Sequence, residues 1–208
     1  MFRYNIFDDH PHKPNEVIIR KKDDLFLVLR TDENNMIIDN EQSFTNENDA
    51  INNFIKQLKD LKKIFLSEFI GKNYLEYYKE KFIDRKIQKI FISWNWPPFF
   101  IGYGWLLYRK LYLEATIVIL SSFIIGGFFA VLNLGDFNRE IASCFKIIIA
   151  LMGNYVYYQK INRTIKKLDE IDGKNHLQYL KGKGGTNIVP AIVIELFFVG
   201  LFVLSLIL

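Results

Sequence analysis

A few polar and ionisable residues interrupt the apolar stretches of the C-terminal half of the chain. Glu114 and Glu195 each lie in a run of apolar residues, and Asn154 lies near the end of another. A carboxylate in hydrocarbon is so costly that it neutralises or pairs with a cation, which Arg109 or Lys110 could supply. We therefore predict a polar cluster of these five residues. It either binds an ion, a proton or a lipid head group, or clamps the helices together.

Two further features lie in the same stretches. Lys146 has a long aliphatic stem, which would let its ammonium reach the membrane surface. Ser122, Gly126 and Ala130 recur every four residues, a pattern of small side chains that lets helices approach closely. We predict that this small-residue stripe packs against another helix, in the same chain or in a second copy.

The chain carries no recognisable set of catalytic or metal-binding residues. Cys144 is its one cysteine, which excludes an internal disulfide, and His10 and His12 alone are too few for a metal site. The segment from Lys181 to Thr186 is rich in glycine and lysine but lacks the spacing of a phosphate-binding loop. We interpret it as a flexible basic tether. The sequence thus predicts no enzyme activity, no cofactor and no metal.

The elements that would position these residues follow from the distribution of charge. Hydrophobic residues make up 50% of the 208 and charged residues 24%, but the charges concentrate before residue 90 and the apolar runs follow residue 99. Three apolar stretches, about 111–133, 141–158 and 188–208, are each close to the length of ~20 residues that spans a bilayer. Each must then be helical, because lipid offers the backbone no hydrogen bonds. This predicts a mainly α integral membrane protein with about three transmembrane helices.

The segment before the first span, residues 71–110, predicts two juxtamembrane elements. A basic and aromatic helix carrying Tyr77, Tyr78 and Phe82 either lies on the membrane surface or is an ordinary soluble helix. Residues 97–109 are apolar but too short to span, and Trp94 and Trp96 before them suit the head-group zone. We predict a short interfacial or re-entrant helix there.

Residues 1–70 predict a small α+β domain. The β-rich runs 17–19, 25–29 and 36–38 are separated by polar clusters, which indicates an antiparallel meander. A helix capped by Thr45 or Asn46 and ended by Gly71 would cover it. The apolar positions of that helix, spaced by three and four, are Ile51, Phe54, Ile55, Leu58, Leu61 and Phe65.

Lysine and arginine counts predict the orientation. Residues 79–110 and 160–187 each hold seven of these residues, whereas 134–140 holds only Arg139. Because cytoplasmic loops are enriched in Lys and Arg, the N-terminal domain and 160–187 should be cytoplasmic and the C-terminus outside. The net charge of +4 then indicates contact with anionic head groups and not with nucleic acid.

The chain resembles a family of bacterial membrane proteins catalogued as domain of unknown function 2628. The pattern Trp-x-x-Tyr-Arg-Lys-x-Tyr matches Trp105, Tyr108, Arg109, Lys110 and Tyr112. Residues 69–74, 154–158 and 184–187 are similar to other family features, so the resemblance covers roughly 69–190. It implies a bacterial membrane protein and supplies no reaction. Together with the predicted spans, it leads us to expect a multi-pass protein of the bacterial inner membrane.

Three functions remain open from the sequence. The first is a non-enzymatic scaffold, assembly or interaction protein whose cytoplasmic domain, residues 1–70, binds a protein partner. The second is a small channel or transporter formed by several copies of the membrane domain, residues 111–208. A membrane enzyme acting on lipid has the least support, because no nucleophile or metal site is visible.

Overall fold

The computed structural model of the chain is mostly helical, with a small N-terminal sheet. It describes residues 4–7, 11–72, 77–83, 92–132, 138–171 and 175–207. The chain divides into two compact units. The first comprises Met1–Lys86 with Ile161–Gly184, and the second comprises Ile87–Lys160 with Gly185–Leu208.

The first unit contains a four-stranded sheet. Its strands are β1 (Tyr4–Ile6), β2 (Val17–Lys22), β3 (Leu25–Thr31) and β4 (Ile37–Phe44), in that order across the sheet. β2, β3 and β4 pair antiparallel, which confirms the predicted meander. β1 adds a parallel strand that we did not predict, because three residues are too few to show an alternating pattern.

The sheet is covered by α1 (Glu47–Ile70). The Asn46 side chain accepts a hydrogen bond from the Asn48 N–H at 2.8 Å, which decides between the two predicted caps. Gly71 ends the helix with φ 74°, in the left-handed region, as predicted.

The buried face of α1 differs in part from the prediction. Phe54, Leu61 and Phe65 are buried, but Ile51 and Ile55 are 37% and 43% exposed, so placing these two in the core was wrong. The buried stripe begins one position earlier, at Ala50, and one residue corresponds to about 100° around a helix, so the two isoleucines turn away from the sheet.

The predicted basic tether is a helix end, and the interpretation as a flexible segment was wrong. Helix α7 (His176–Lys183) includes Lys181 and Lys183, and Gly184 after it is buried. α7 packs against α1. The His176 ring lies 3.0 Å from the Asn15 side-chain amide and 3.0 Å from the Ile171 carbonyl oxygen. These contacts place α7 in the core of the first unit.

A short helix, α2 (Lys79–Ile83), also belongs to the first unit. Tyr78 and Phe82 are buried, which accounts for part of the predicted basic and aromatic helix. Residues 73–76 and 84–91, the other parts of the segment in which that helix was predicted, lie outside the described residues. The same holds for most of the predicted turn between the first two spans.

The second unit is built from five helices among the described residues: α3 (Trp96–Ile101), α4 (Tyr103–Tyr108), α5 (Tyr112–Val131), most of α6 (Asn138–Lys166) and α8 (Val189–Ile207). Two stretches are long and apolar enough to cross a membrane: Tyr112–Val131, with mean hydropathy 2.0, and Glu140–Glu170, with 1.4. In the apolar window of the first only 6% of residues are buried, unlike the core helix of a soluble protein. Within the third predicted span, Val189–Leu201 is a shorter apolar helix.

Candidate functional site

The short helix predicted at residues 97–109 is a helical hairpin. α3 and α4 meet at Gly102, whose φ of 63° lies in the left-handed region that favours glycine. Pro97 and Pro98 stand in the first turn of α3, where a missing N–H costs nothing, and the Gly102 N–H bonds to the Pro98 carbonyl at 2.8 Å. The chain therefore reverses within residues 96–108, which we name the hairpin.

An extended segment leads into the hairpin along α6. The Ser93 N–H donates to the Leu151 carbonyl at 3.1 Å, and the Asn95 N–H donates to the Ala150 carbonyl at 2.9 Å. Backbone outside a helix leaves polar N–H groups without the hydrogen bonds that a helix supplies. Here carbonyl groups of α6 accept hydrogen bonds from the N–H groups of the segment. Residues 93–95 are thereby held against the middle of α6.

The hairpin turns further along α6 and then returns. At the turn, a Cβ on Gly102 would lie 3.5 Å from Lys146 Cγ. At the end of the return, Lys160 Nζ donates to the carbonyls of Arg109 and Lys110, at 3.1 and 2.8 Å. Lys146 and Lys160 are fourteen positions apart in one helix, which corresponds to about 21 Å. The returning helix α4 has six residues and covers about 9 Å of that length, so the two long lysine side chains reach its ends from positions of α6 beyond them.

Asn154 joins α6 to the segment before the hairpin. Its Oδ1 accepts from Asn95 Nδ2 at 2.8 Å, and its Nδ2 donates to the Ser93 hydroxyl and carbonyl oxygens at 3.2 and 3.3 Å. Asn154 and Asn95 are 0% and 1% exposed. Buried amides are costly unless bonded, so this amide network favours the bound position of the segment.

The returning helix presents two motif residues to α6. Trp105 is 3% exposed, and its ring lies 6.3 Å from that of Tyr157. A Cβ on Gly153 would come within 3.0 Å of Trp105 Cζ3, so the absence of a side chain there makes room for the indole. The Arg109 guanidinium is buried 5.2 Å from the centre of the Tyr157 ring, a cation–π distance.

Three chain segments converge at the end of α4. Lys160 of α6 bonds to the Arg109 and Lys110 carbonyls, and the Asn187 N–H, just before α8, donates to the Tyr108 carbonyl at 2.8 Å. α5 begins at Tyr112, directly after this turn. The start of α5, the start of α8 and position 160 of α6 therefore lie at one level of the second unit.

A cavity of about 770 Å³ lies between the hairpin and helices α5, α6 and α8. Its wall includes the aromatic rings of Phe100, Phe123, Phe145 and Phe198. Four polar side chains also line it: Tyr103, Ser122, Lys146 and Glu195. One cavity thus combines an apolar wall with one cationic and one anionic group.

The five residues of the predicted polar cluster have different surroundings. Asn154 lies in the amide network and Arg109 lies against Tyr157. Lys110 offers its carbonyl to Lys160, and Glu195 lines the cavity. Glu114 is half-buried in the first turn of α5. A shared ion or proton site of all five therefore stays a prediction.

The small-residue stripe contributes to the cavity wall. Ser122 and Gly126 line it, and Ala130 is exposed. Association with a second copy through this stripe stays a prediction. The motif residues Tyr108 and Tyr112 lie at the convergence level, half-buried and exposed respectively.

Sequence reasoning missed the partners of Asn154. Ser93 and Asn95 flank Trp94 in a short polar segment that resembles an ordinary loop, and nothing in their spacing points to position 154. Tyr157, three residues after Asn154, could have been found, because this spacing places both on one face of α6.

The comparisons with known proteins identify the family and nothing further. A family model described as "Protein of unknown function (DUF2628)" matches residues 46–163, more than half of the chain. The match begins at the cap of α1 and ends within α6, so residues 184–187 lie beyond it. No curated protein and no solved structure matches the chain. The chain belongs to the DUF2628 family of proteins of unknown function.

Proposed function

We propose that the chain is a multi-pass protein of a bacterial inner membrane. α5, α6 and α8 are its three spans, and the hairpin enters the bilayer beside α6 without crossing it. Exposed apolar helices support this, since Ile124, Val131 and Ile207 are each more than 70% exposed. The hydrogen bonds that Ser93 and Asn95 donate to α6 carbonyls support the hairpin, because irregular backbone at membrane depth must be satisfied within the protein.

We further propose that the N-terminal unit is cytoplasmic. The convergence of Lys160, Lys110 and Asn187 at one level supports this, because the basic segments flank that level. Cys144 is the only cysteine, so Cys144→Ser gives a cysteine-free background. In intact cells, an impermeant maleimide should label Asp136→Cys, and Lys181→Cys should react only after lysis. Labelling of Lys181→Cys in intact cells would reverse the topology.

Within this architecture, we propose a non-enzymatic role as a scaffold or assembly protein. The observation that carries the proposal is that β4 forms one edge of the sheet among the described residues. β4 stands last in the strand order, and Glu41, Gln42 and Ser43 in it are exposed. An edge strand of eight residues presents main-chain donors and acceptors to which an extended segment of a partner can add as a further strand. The N-terminal unit is therefore the proposed receptor.

A pull-down of the full chain in mild detergent tests this role. Ser43→Lys should reduce recovery of the partner by about tenfold or more, because a lysine on an edge strand opposes strand addition. Asn52→Lys, on an exposed position of α1, adds the same charge and should leave recovery unchanged. Equal recovery with both variants would contradict binding at β4.

A homo-oligomeric channel or transporter is the second candidate. The observation in its favour is that Lys146 and Glu195, in two of the proposed spans, both line one cavity. The same purified material distinguishes the two functions. A protein mass equal to one chain by light scattering rules out the channel, because three spans are too few to enclose a pore alone.

A further inference from the structure

The cavity in the second unit opens at an apolar surface. Phe100 and Ile101 of the hairpin and Phe123 of α5 line it and are 67%, 53% and 58% exposed. If α5 and α6 span a membrane, as proposed above, this mouth faces lipid and not water. A molecule that enters the cavity must therefore come from the bilayer.

The two charged groups in the cavity differ from the other polar side chains that line it. Across the described residues, neither Lys146 nor Glu195 makes an ion pair. Both side chains are exposed, and in the bilayer proposed above such exposure is to lipid, where a charge without a counter-charge is costly. Both groups therefore favour a ligand that brings the opposite charges.

Both charged side chains lie beside the turn of the hairpin. Lys146 Cγ lies 3.5 Å from the position of a Cβ on Gly102, and Glu195 Oε1 lies 3.6 Å from that on Gly104. Tyr103, between these glycines, also lines the cavity. Both side chains thus lie beside the hairpin within three residues of its backbone, which suits a ligand that carries both opposite charges.

We propose that this cavity binds one phospholipid whose head group carries both a phosphate and an ammonium. Lys146 pairs with the phosphate, Glu195 pairs with the ammonium, and the aromatic wall contacts the acyl chains. The volume of about 770 Å³ is in the range of small-molecule sites, about 300–1,000 Å³. The proposal rests on membrane insertion of α5, α6 and α8 and is independent of the scaffold role.

Native mass spectrometry of the full chain, released from detergent, tests the proposal with two added lipids. Phosphatidylethanolamine carries both charges, and phosphatidylglycerol carries the phosphate alone. The wild-type protein should retain phosphatidylethanolamine at least about tenfold better, because a charged hydrogen-bonded pair is lost with the other lipid. Glu195→Gln should remove this preference without weakening phosphatidylglycerol, whereas Lys146→Gln should weaken both lipids.

Two controls keep the result interpretable. Gly126→Leu should fill the cavity and reduce retention of both lipids, and Lys181→Gln in α7 should leave both unchanged. Equal retention of the two lipids by the wild-type protein would overturn the proposal, as would retention that none of the cavity variants changes. Extraction of the wild-type protein from membranes by alkaline carbonate would instead contradict membrane insertion itself.

Discussion

Replacing Gly184 with alanine should separate α7 from α1. A Cβ at this position would lie 1.9 Å from the Phe69 carbonyl oxygen and 2.6 Å from its carbon, both in the backbone. A flexible side chain could move away, but the end of α1 is held in place by buried Phe65, Phe69 and Ile70. We expect the free energy that holds α7 on α1 to fall by about 1–3 kcal/mol or more, as in other overpacked cores.

Hydrogen exchange in the full chain measures this effect directly. The amides of α7 should exchange about tenfold or more faster in Gly184→Ala, since 1.4 kcal/mol corresponds to a factor of about ten. Gly182→Ala is the matched control, because nothing lies within 4 Å of a Cβ there and the residue lies inside α7. It should slow exchange, since alanine favours a helix over glycine by about 0.5–1 kcal/mol. Equal rates in the two variants would contradict the close approach of Gly184 to Phe69.

The sequence predicted those parts of the fold that depend on local patterns. The cap at Asn46, the end at Gly71 and the meander of β2 to β4 each follow from residues within a few positions of one another. α7 depends on distant contacts instead. His176 meets Asn15 from 161 positions away, and Gly184 meets Phe69. A segment rich in glycine and lysine carries no local sign of such packing.

The candidate site was predictable to a similar degree. Asn154 was identified because a polar residue in an apolar stretch is costly, but this argument names no partner. The pairing of the acids with Arg109 and Lys110, expected because opposite charges attract, stays a prediction. In the structure the two basic residues bond through their carbonyls to Lys160, a third cation, and Arg109 also lies against an aromatic ring. Contacts with main-chain carbonyls and with the faces of aromatic rings cannot be predicted from the positions of the charged residues.

Replacing Asn154 with leucine should release the hairpin from α6. Leucine keeps a similar volume but leaves the amide of Asn95 and the buried oxygens of Ser93 without the partner that the asparagine provides. Each buried polar group left unsatisfied costs about 1–3 kcal/mol, and the network joins three such groups. Ser143→Leu, an exposed polar position on the same helix, should leave the hairpin in place.

The natural tryptophans report the outcome, because all three lie within residues 94–105. Trp96 is 60% exposed and Trp105 is 3% exposed. In bilayers with brominated acyl chains, Trp105 alone, in a Trp94→Phe, Trp96→Phe background, should be weakly quenched. Adding Asn154→Leu should raise the quenching of Trp105 close to that of Trp96, measured in a protein that keeps Trp96 as its one tryptophan.

The same bilayers test the depth of the hairpin. If the hairpin lay on the membrane surface, bromines near the head groups would quench Trp96 more strongly than bromines deeper in the chains. Ala150, which bonds to Asn95, lies about 15 Å along α6 from Lys160, which is at the proposed cytoplasmic surface. Trp96 follows Asn95, so we expect it to lie deep in the bilayer and the deeper bromines to quench it more strongly.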